Sequence, residues 1–415
     1  MKRSAETATV LLEHTGGKDL SARRILCWTG HGLNDSFFFL LPLILPVILA
    51  QLHMQLRGAG LIVSAFLCAA AVSSYLSGRI ADRLASWKLI ATGFVLVSLG
   101  TISASFVASL PLLITLFVVA GIGVGTFHPS TYAQFDRLAF PRTGRAFGLF
   151  ELWGAATLVL MFFVNGTLLG GLGWQSVLRL SGAAGLVMSL LYYWKFKNEE
   201  AYQPAERQSC SALEGKPGAG PVLPLFFAAT VLRFLSSTAV LNFTPTFLVL
   251  DRGLAPNIAA YTSALIFVGG AIFCPLVGKW ADRLGAMPLL LAVSGGIGPL
   301  VLLLSLPLPL WLMAPLLVLL GGFITGAAPV QNLFLSGLRS RLGIGTVFGM
   351  MMGLIALIAS VSPLVFAYLA EHLGIAASLR LFSLPALVGL AVLVFMFRIE
   401  RKRKLRFSSN SENAG

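Results

Sequence analysis

Charge is what this sequence has least of. Of its 415 residues only 11% are charged, while 57% are hydrophobic. An ordinary soluble domain has about a quarter of its residues charged. A water-soluble globule of this length would lack the polar side chains to cover its surface. That excludes a cytosolic enzyme, a secreted disulfide domain and a disordered chain. Cysteine is scarce too: Cys27, Cys68, Cys210 and Cys274 form no CxxC pair, and three of them lie in apolar runs. They read as small buried hydrophobes. There is no Walker motif, no HExxH, no metal-ligand spacing and no GxSxG elbow, so neither ATP, a metal, a cofactor nor an enzymatic activity is expected. The 30 basic residues outnumber the 16 acidic ones for a net charge of +14. They sit in short loops between apolar runs and never interleave with exposed aromatics, which excludes a nucleic-acid partner. No cleavable signal peptide is read. The first 24 residues are polar, and the apolar run after them is too long for a signal segment.

What the sequence does have is long apolar runs, with a mean hydropathy of +0.86. A bilayer core of about 30 Å needs roughly 20 apolar residues per helix. Runs of that kind cover 25–50, 58–77, 89–108, 110–135, 146–170 and 174–196. After a gap come 222–250, 257–277, 288–306, 309–334, 346–370 and 375–397. The boundary at Leu306-Pro307-Leu308-Pro309 is the least distinct of them. Twelve spans with the N-terminus inside would place 25 of the 30 basic residues in cytoplasmic segments, the skew that sets membrane orientation. An even count puts the C-terminus inside as well. The polar stretch 197–221 reads as a cytoplasmic linker between two six-helix halves. The basic run 398–407 reads as a juxtamembrane anchor on anionic lipid.

The halves repeat each other at an offset near 200. GRIADRL at 78–84 returns as GKWADRL at 278–284, and Pro129 aligns with Pro329. Ala146-Phe147-Gly148 aligns with Val347-Phe348-Gly349, and Val177-Leu178-Arg179-Leu180 with Ser378-Leu379-Arg380-Leu381. Parallel six-helix repeats of this kind place a substrate site between the halves. In the repeated loop, Gly78 would allow a tight turn at a helix end. Asp82 could sit on the positive end of a neighbouring helix dipole, and Arg83 could pair with an acid or a last-turn carbonyl. Gly278, Asp282 and Arg283 repeat the pattern.

The G-x-x-x-D-R loop, present between spans 2 and 3 and again between spans 8 and 9, resembles the signature loop of the major facilitator superfamily. The resemblance covers residues 25 to 398. It implies a latch on the cytoplasmic side, although the first copy runs on as Ala-Ser-Trp-Lys after Leu84 where the family usually has Gly and basic residues.

An ionisable side chain at bilayer depth costs several kcal/mol unless it is paired, so each one is a candidate. His31 and Asp35 are four residues apart on one face of span 1, with Asn34 one step round. Asp35 lies about 15 Å past Ile25, near the midplane, where a nearby histidine could trade protons with its carboxylate. His128 in Phe127-His128-Pro129 lies about 11 Å from the cytoplasmic end of span 4, and Glu151 about 8 Å from the same face in span 5. A His128–Glu151 pair is therefore geometrically open, and Pro129 should kink its helix. Arg233 is the only basic residue deep in span 7. It could pair with Asp35, hold an anionic substrate group or snorkel to the surface. Asn242 and Gln331-Asn332 could donate hydrogen bonds into a cleft. Arg179 and Arg380 read as structural anchors near the outer ends of spans 6 and 12.

HxxND in span 1 together with FHP in span 4 resembles the fosmidomycin-resistance branch of the superfamily, whose members are drug-exporting antiporters. The resemblance implies proton-driven efflux. Ser130 stands where that branch usually has an acid, and span 5 lacks the Gly-Pro-rich signature common in drug antiporters.

These readings make an all-α membrane protein of twelve transmembrane helices in two six-helix repeats, the major facilitator fold. Its parts are a cytoplasmic segment 1–24, six-helix bundles 25–196 and 222–398, the linker 197–221 and a basic tail 399–415. A monomer in the bacterial inner membrane with both termini cytoplasmic is expected, its partners a small-molecule substrate, protons and lipids. The expected function is proton-coupled export of a small amphipathic or anionic compound. Asp35 would be the main proton carrier, assisted by His31, His128 and Glu151, with Arg233, Asn34 and Asn242 on the substrate. The alternatives are uptake of an organic anion by proton symport, favoured by the missing span-5 signature, and a receptor or assembly partner with little flux.

Overall fold

The computed structural model describes residues 17–81, 84–134, 143–199, 222–337 and 344–412. Every regular element among them is a helix. In hydrocarbon the backbone must satisfy its own hydrogen bonds, and a helix does so within one segment.

The first helices are α1 (Gly17–Gln51), α2 (Leu56–Ala81), α3 (Ser86–Ala104) and α4 (Leu110–Gln134). A continuous run Gly144–Phe196 of 53 residues follows. At 1.5 Å per residue it would be about 80 Å long, more than twice the bilayer core. It breaks at Gly173, whose φ of 77° and ψ of 168° are not helical. Only glycine adopts that conformation without strain. The break yields α5 (144–172) and α6 (174–196). Six more helices complete the described chain: α7 (Val222–Leu250), α8 (Pro256–Leu284), α9 (Ala286–Leu304), α10 (Leu310–Gly337), α11 (Ile344–Ala359 with Ser362–Leu373) and α12 (Ile375–Glu412). Twelve crossings result, and the two proline residues at 307 and 309 fall in the gap between α9 and α10.

Two prolines interrupt their helices in the same way. Pro129 has no N–H for the Gly125 carbonyl, and α4 breaks at Thr126. Ser77 Oγ of α2 approaches that carbonyl at 3.5 Å. Pro363 has none for the Ala359 carbonyl, and α11 breaks at 360–361.

The repeat is visible in side-chain contacts. Arg179 donates through Nε to Ser105 Oγ at 3.0 Å, and Arg380 donates through Nε to Ser305 Oγ at 3.3 Å. Both arginines thus tie the outer start of one helix to the end of another in their own half.

The first six helices meet the last six along α2–α11 and α5–α8. At the end that carries the termini the helix axes come very close. A Cβ built on Gly278 would fall 2.2 Å from the Gly144 carbonyl oxygen, and one built on Gly349 would fall 2.7 Å from Gly78 Cα. Gly78 lies inside α2, so its lack of a side chain serves this approach. The turn expected of it is not there. At the opposite end, Arg57 and Glu371 form an ion pair at 2.5 Å. The Arg57 backbone N–H also donates to Glu371 Oε1 at 2.7 Å. Thr167 and Tyr261 share a hydroxyl hydrogen bond at 2.8 Å across α5 and α8. Contacts between the halves therefore stand at both ends of the molecule.

Candidate functional site

Between these two sets of contacts lies a cavity of about 340 Å³. Its wall is mainly apolar, with Phe38, Phe39, Leu67, Leu241, Ile324 and Met352 among the lining residues. The polar groups of the lining include His128, Glu151, Arg233, Asn242, Gln331 and Asn332. A mainly apolar wall with polar groups placed in it is the usual make-up of a small-molecule site.

His31 and Asp35 meet as their i,i+4 spacing predicts, with Nε2 at 3.2 Å from Oδ2. The His31 ring is fully buried and stacks on Phe150 at 3.9 Å. Its Nδ1 lies 3.0 Å from the Phe150 carbonyl oxygen. A carbonyl only accepts, so Nδ1 carries the hydrogen. The second ring nitrogen then faces the carboxylate of Asp35.

The other Asp35 oxygen takes His128, whose Nε2 is 3.1 Å from Oδ1. The carboxylate thus sits between two imidazoles, one from its own helix and one from α4. His128 therefore pairs with Asp35, and the His128–Glu151 pair that sequence depth leaves open is not formed. By depth alone His128 lies about 4 Å from Asp35 and about 3 Å from Glu151, both within one helical turn. The three ligand-type atoms lie within 4.8 Å of one another, a cluster no sequence spacing reveals because His128 is on a different helix. Their pairwise contacts to Asp35 are of hydrogen-bond length, at 3.2 and 3.1 Å.

Glu151 lines the cavity and accepts a hydrogen bond at 3.0 Å from Asn332 Nδ2 of α10. The same nitrogen donates to the Tyr132 hydroxyl at 3.0 Å. Tyr132 follows His128 by four residues, a spacing that could have flagged it.

Arg233 is buried in the cavity wall at 5% exposure. Its Nη2 donates to Gln331 Oε1, and its guanidinium lies 4.9 Å from the Phe234 ring centre. It neither snorkels to the surface nor pairs with Asp35, because two histidines already occupy that carboxylate. Among the described residues no acid forms an ion pair with it. Asn242 lines the cavity and donates to the Thr238 carbonyl of its own helix at 2.8 Å. Asn34 is buried at 2% exposure outside the cavity lining.

Of the loop motifs, Asp82 and Arg83 lie outside the described residues. Asp282 accepts from the backbone N–H groups of Gly144 at 2.7 Å and Arg145 at 2.9 Å. It caps the N-terminus of α5 from the other half, where the helix dipole favours an anion. Arg283 is exposed beside it.

A model of the Major Facilitator Superfamily matches residues 27–356. The chain belongs to this superfamily. It is a secondary transporter and not an enzyme. A curated superfamily relative, named a probable sulfoacetate transporter and found in Cupriavidus necator, is 26% identical over 384 residues, covering 85% of this chain and 87% of the relative. An uncharacterised transporter of the same type from Mycobacterium tuberculosis is 28% identical over 151 residues, covering 35% of this chain and 25% of its own length. The fold is that of the nucleoside transporter NupG, with a TM-score of 0.70 at 14% identity covering 90% of this chain and 99% of that one. The proton:xylose symporter XylE has the same major facilitator fold at a TM-score of 0.67 and 15% identity, covering 90% of this chain and 94% of that one.

Proposed function

We propose that this transporter moves a small organic anion together with protons. The observation that carries the reading is Arg233, a buried guanidinium in the cavity wall whose described hydrogen-bond partner is a neutral amide. A charge at that depth costs about 2.5–3.5 kcal/mol on insertion scales, and an anionic substrate group would offset it. The name of the relative that matches most of this chain supports an anionic cargo. Asp35, His31 and His128, with Glu151 beside them, carry the protons. The cytoplasmic termini, the inner-membrane location, the monomeric state and rocking of the bundles 25–196 and 222–398 belong to the same reading.

The separation of the two charges favours co-transport. If Arg233 paired with Asp35, proton and substrate would compete for one site, and competition drives exchange. Here the two histidines occupy Asp35 and Arg233 pairs with Gln331 in the wall of the same cavity, so both sites can fill at once. A second reading, export against protons of the fosmidomycin-resistance kind, rests on the HxxND and FHP motifs. Proteoliposomes loaded with a pH dye and given sulfoacetate decide between them. Internal acidification with anion entry supports symport, alkalinisation supports exchange, and no anion flux at any pH sinks the Arg233 reading.

A further inference from the structure

Gln331 and Asn332 are consecutive residues of α10, yet they hold the two functional regions of the cavity. Gln331 accepts from Arg233. Asn332 donates both of its amide hydrogens across to the first six helices, one to Glu151 Oε1 and one to the Tyr132 hydroxyl, each at 3.0 Å. While Glu151 is ionised the amide must present its nitrogen, since its oxygen could not face a carboxylate. Asn332 is 4% exposed and Gln331 3% exposed, so water does not compete freely for either. Pro329, two residues earlier, removes a backbone hydrogen bond from the same turn and leaves it more easily bent.

Resting on the anion–proton reading above, we propose that this Gln331-Asn332 turn is the coupling element of the transporter. Asn332 is a positioning residue acting through Glu151. An N–H donor bonds an ionised carboxylate roughly twice as strongly as a neutral acceptor. The tether between the halves is therefore tight while Glu151 is charged and loosens when Glu151 takes a proton. Titratable groups from three helices bear on Glu151. His31 and Asp35 of α1 and His128 of α4 act on its charge, Tyr132 of α4 joins it through Asn332, and Cys274 of α8 feels its charge as well. On the other side of the turn, an anion arriving at Arg233 competes with Gln331 for the guanidinium. Release of Gln331 frees the turn that carries Asn332. Substrate and proton thus act on one point, and each loosens the turn by its own route.

The test is a distance between the halves measured by pulsed electron spin resonance on the full chain. Spin labels go on Leu84→Cys and Leu284→Cys, exposed sites at 48% and 63% on the end that carries the termini, with the four native cysteines replaced by alanine. The wild-type background should gain a longer-distance population between pH 8 and pH 5. Asn332→Ala and Glu151→Gln should show that longer population at both pH values, and Asn332→Gln, which keeps the donors, should restore the response. Asn332→Ala responding to pH as the wild type does, or fixed at the short distance, overturns the proposal. So does any monodisperse Asn332→Gln that fails to restore the response while Asn332→Ala abolishes it. In a second arm at pH 8, sulfoacetate should lengthen the wild-type distance and leave Gln331→Ala unmoved although it still binds, as read by a thermal shift. A Gln331→Ala response equal to the wild type overturns the Gln331 half of the proposal. Failure of sulfoacetate to bind the wild type counts against the anion reading of Arg233 instead, and the pH arm still decides the tether.

Discussion

Asp35 has an imidazole against each carboxylate oxygen. Replacing it with asparagine removes the charge and keeps the shape. Asp35→Asn should abolish accumulation driven by a pH gradient while leaving substrate counterflow at equal pH within a few-fold. Accumulation at wild-type levels with unchanged pH dependence would refute its role. Arg233 contributes one charge-assisted interaction to an anion, worth about 1.5–3 kcal/mol. Arg233→Gln should therefore raise the apparent KM for the anion by about tenfold to a hundredfold. Arg233→Lys should fall between, because lysine keeps the charge and loses the planar fork. Measured uptake against concentration checks both. At this scale the sequence was informative where partners share a helix. His31 and Asp35 could be paired by spacing alone. His128 could not, because its partner is on another helix and the choice between Asp35 and Glu151 turned on one helical turn of relative depth.

Helix ends and breaks carry the conformational machinery. Asp282 of α8 caps α5 across the boundary between the halves. Loss of such a cap costs about 1 kcal/mol, and the dipole adds about 0.3–1 kcal/mol more. Asp282→Ala should thus shift the balance between closed and open forms at that end by about ten- to thirtyfold, read as faster thiol labelling of a cysteine placed beside the cap. Gly278→Val should act in the same direction and more strongly, since its side chain would meet the Gly144 carbonyl. Each of the twelve apolar runs falls on a helix because each must fill a bilayer, but the helices overrun them where polar turns continue, as at Gly17–Gln51, Pro256–Leu284 and Ile375–Glu412. The role of Gly78 was not legible: a glycine near a helix end reads as a turn until the helix packed against it, with Gly349, is known. The break at Gly173 was legible only as the gap between two runs.

For the whole molecule, the repeated motifs announced two like halves and a site between them. Nothing in either half could say that both ends would be in contact at once. The Arg57–Glu371 pair at one end is half exposed on the arginine side, and exposed pairs are worth about 0–1 kcal/mol. Arg57→Glu should therefore change the opening equilibrium at that end by no more than several-fold, and Arg57→Glu with Glu371→Arg should return it. A double-mutant cycle on the inter-half distance measures the pair directly, and additive single effects would show that it contributes nothing as a latch.

Having contacts at both ends also bears on what this membrane can tolerate. A cell lives on its ion gradients, and a continuous aqueous path through a transporter would short-circuit them. Such a path here needs both ends open together. Loosening either end alone should waste turnovers without passing current, whereas Asp282→Ala combined with Arg57→Glu should be the combination that depolarises the cell.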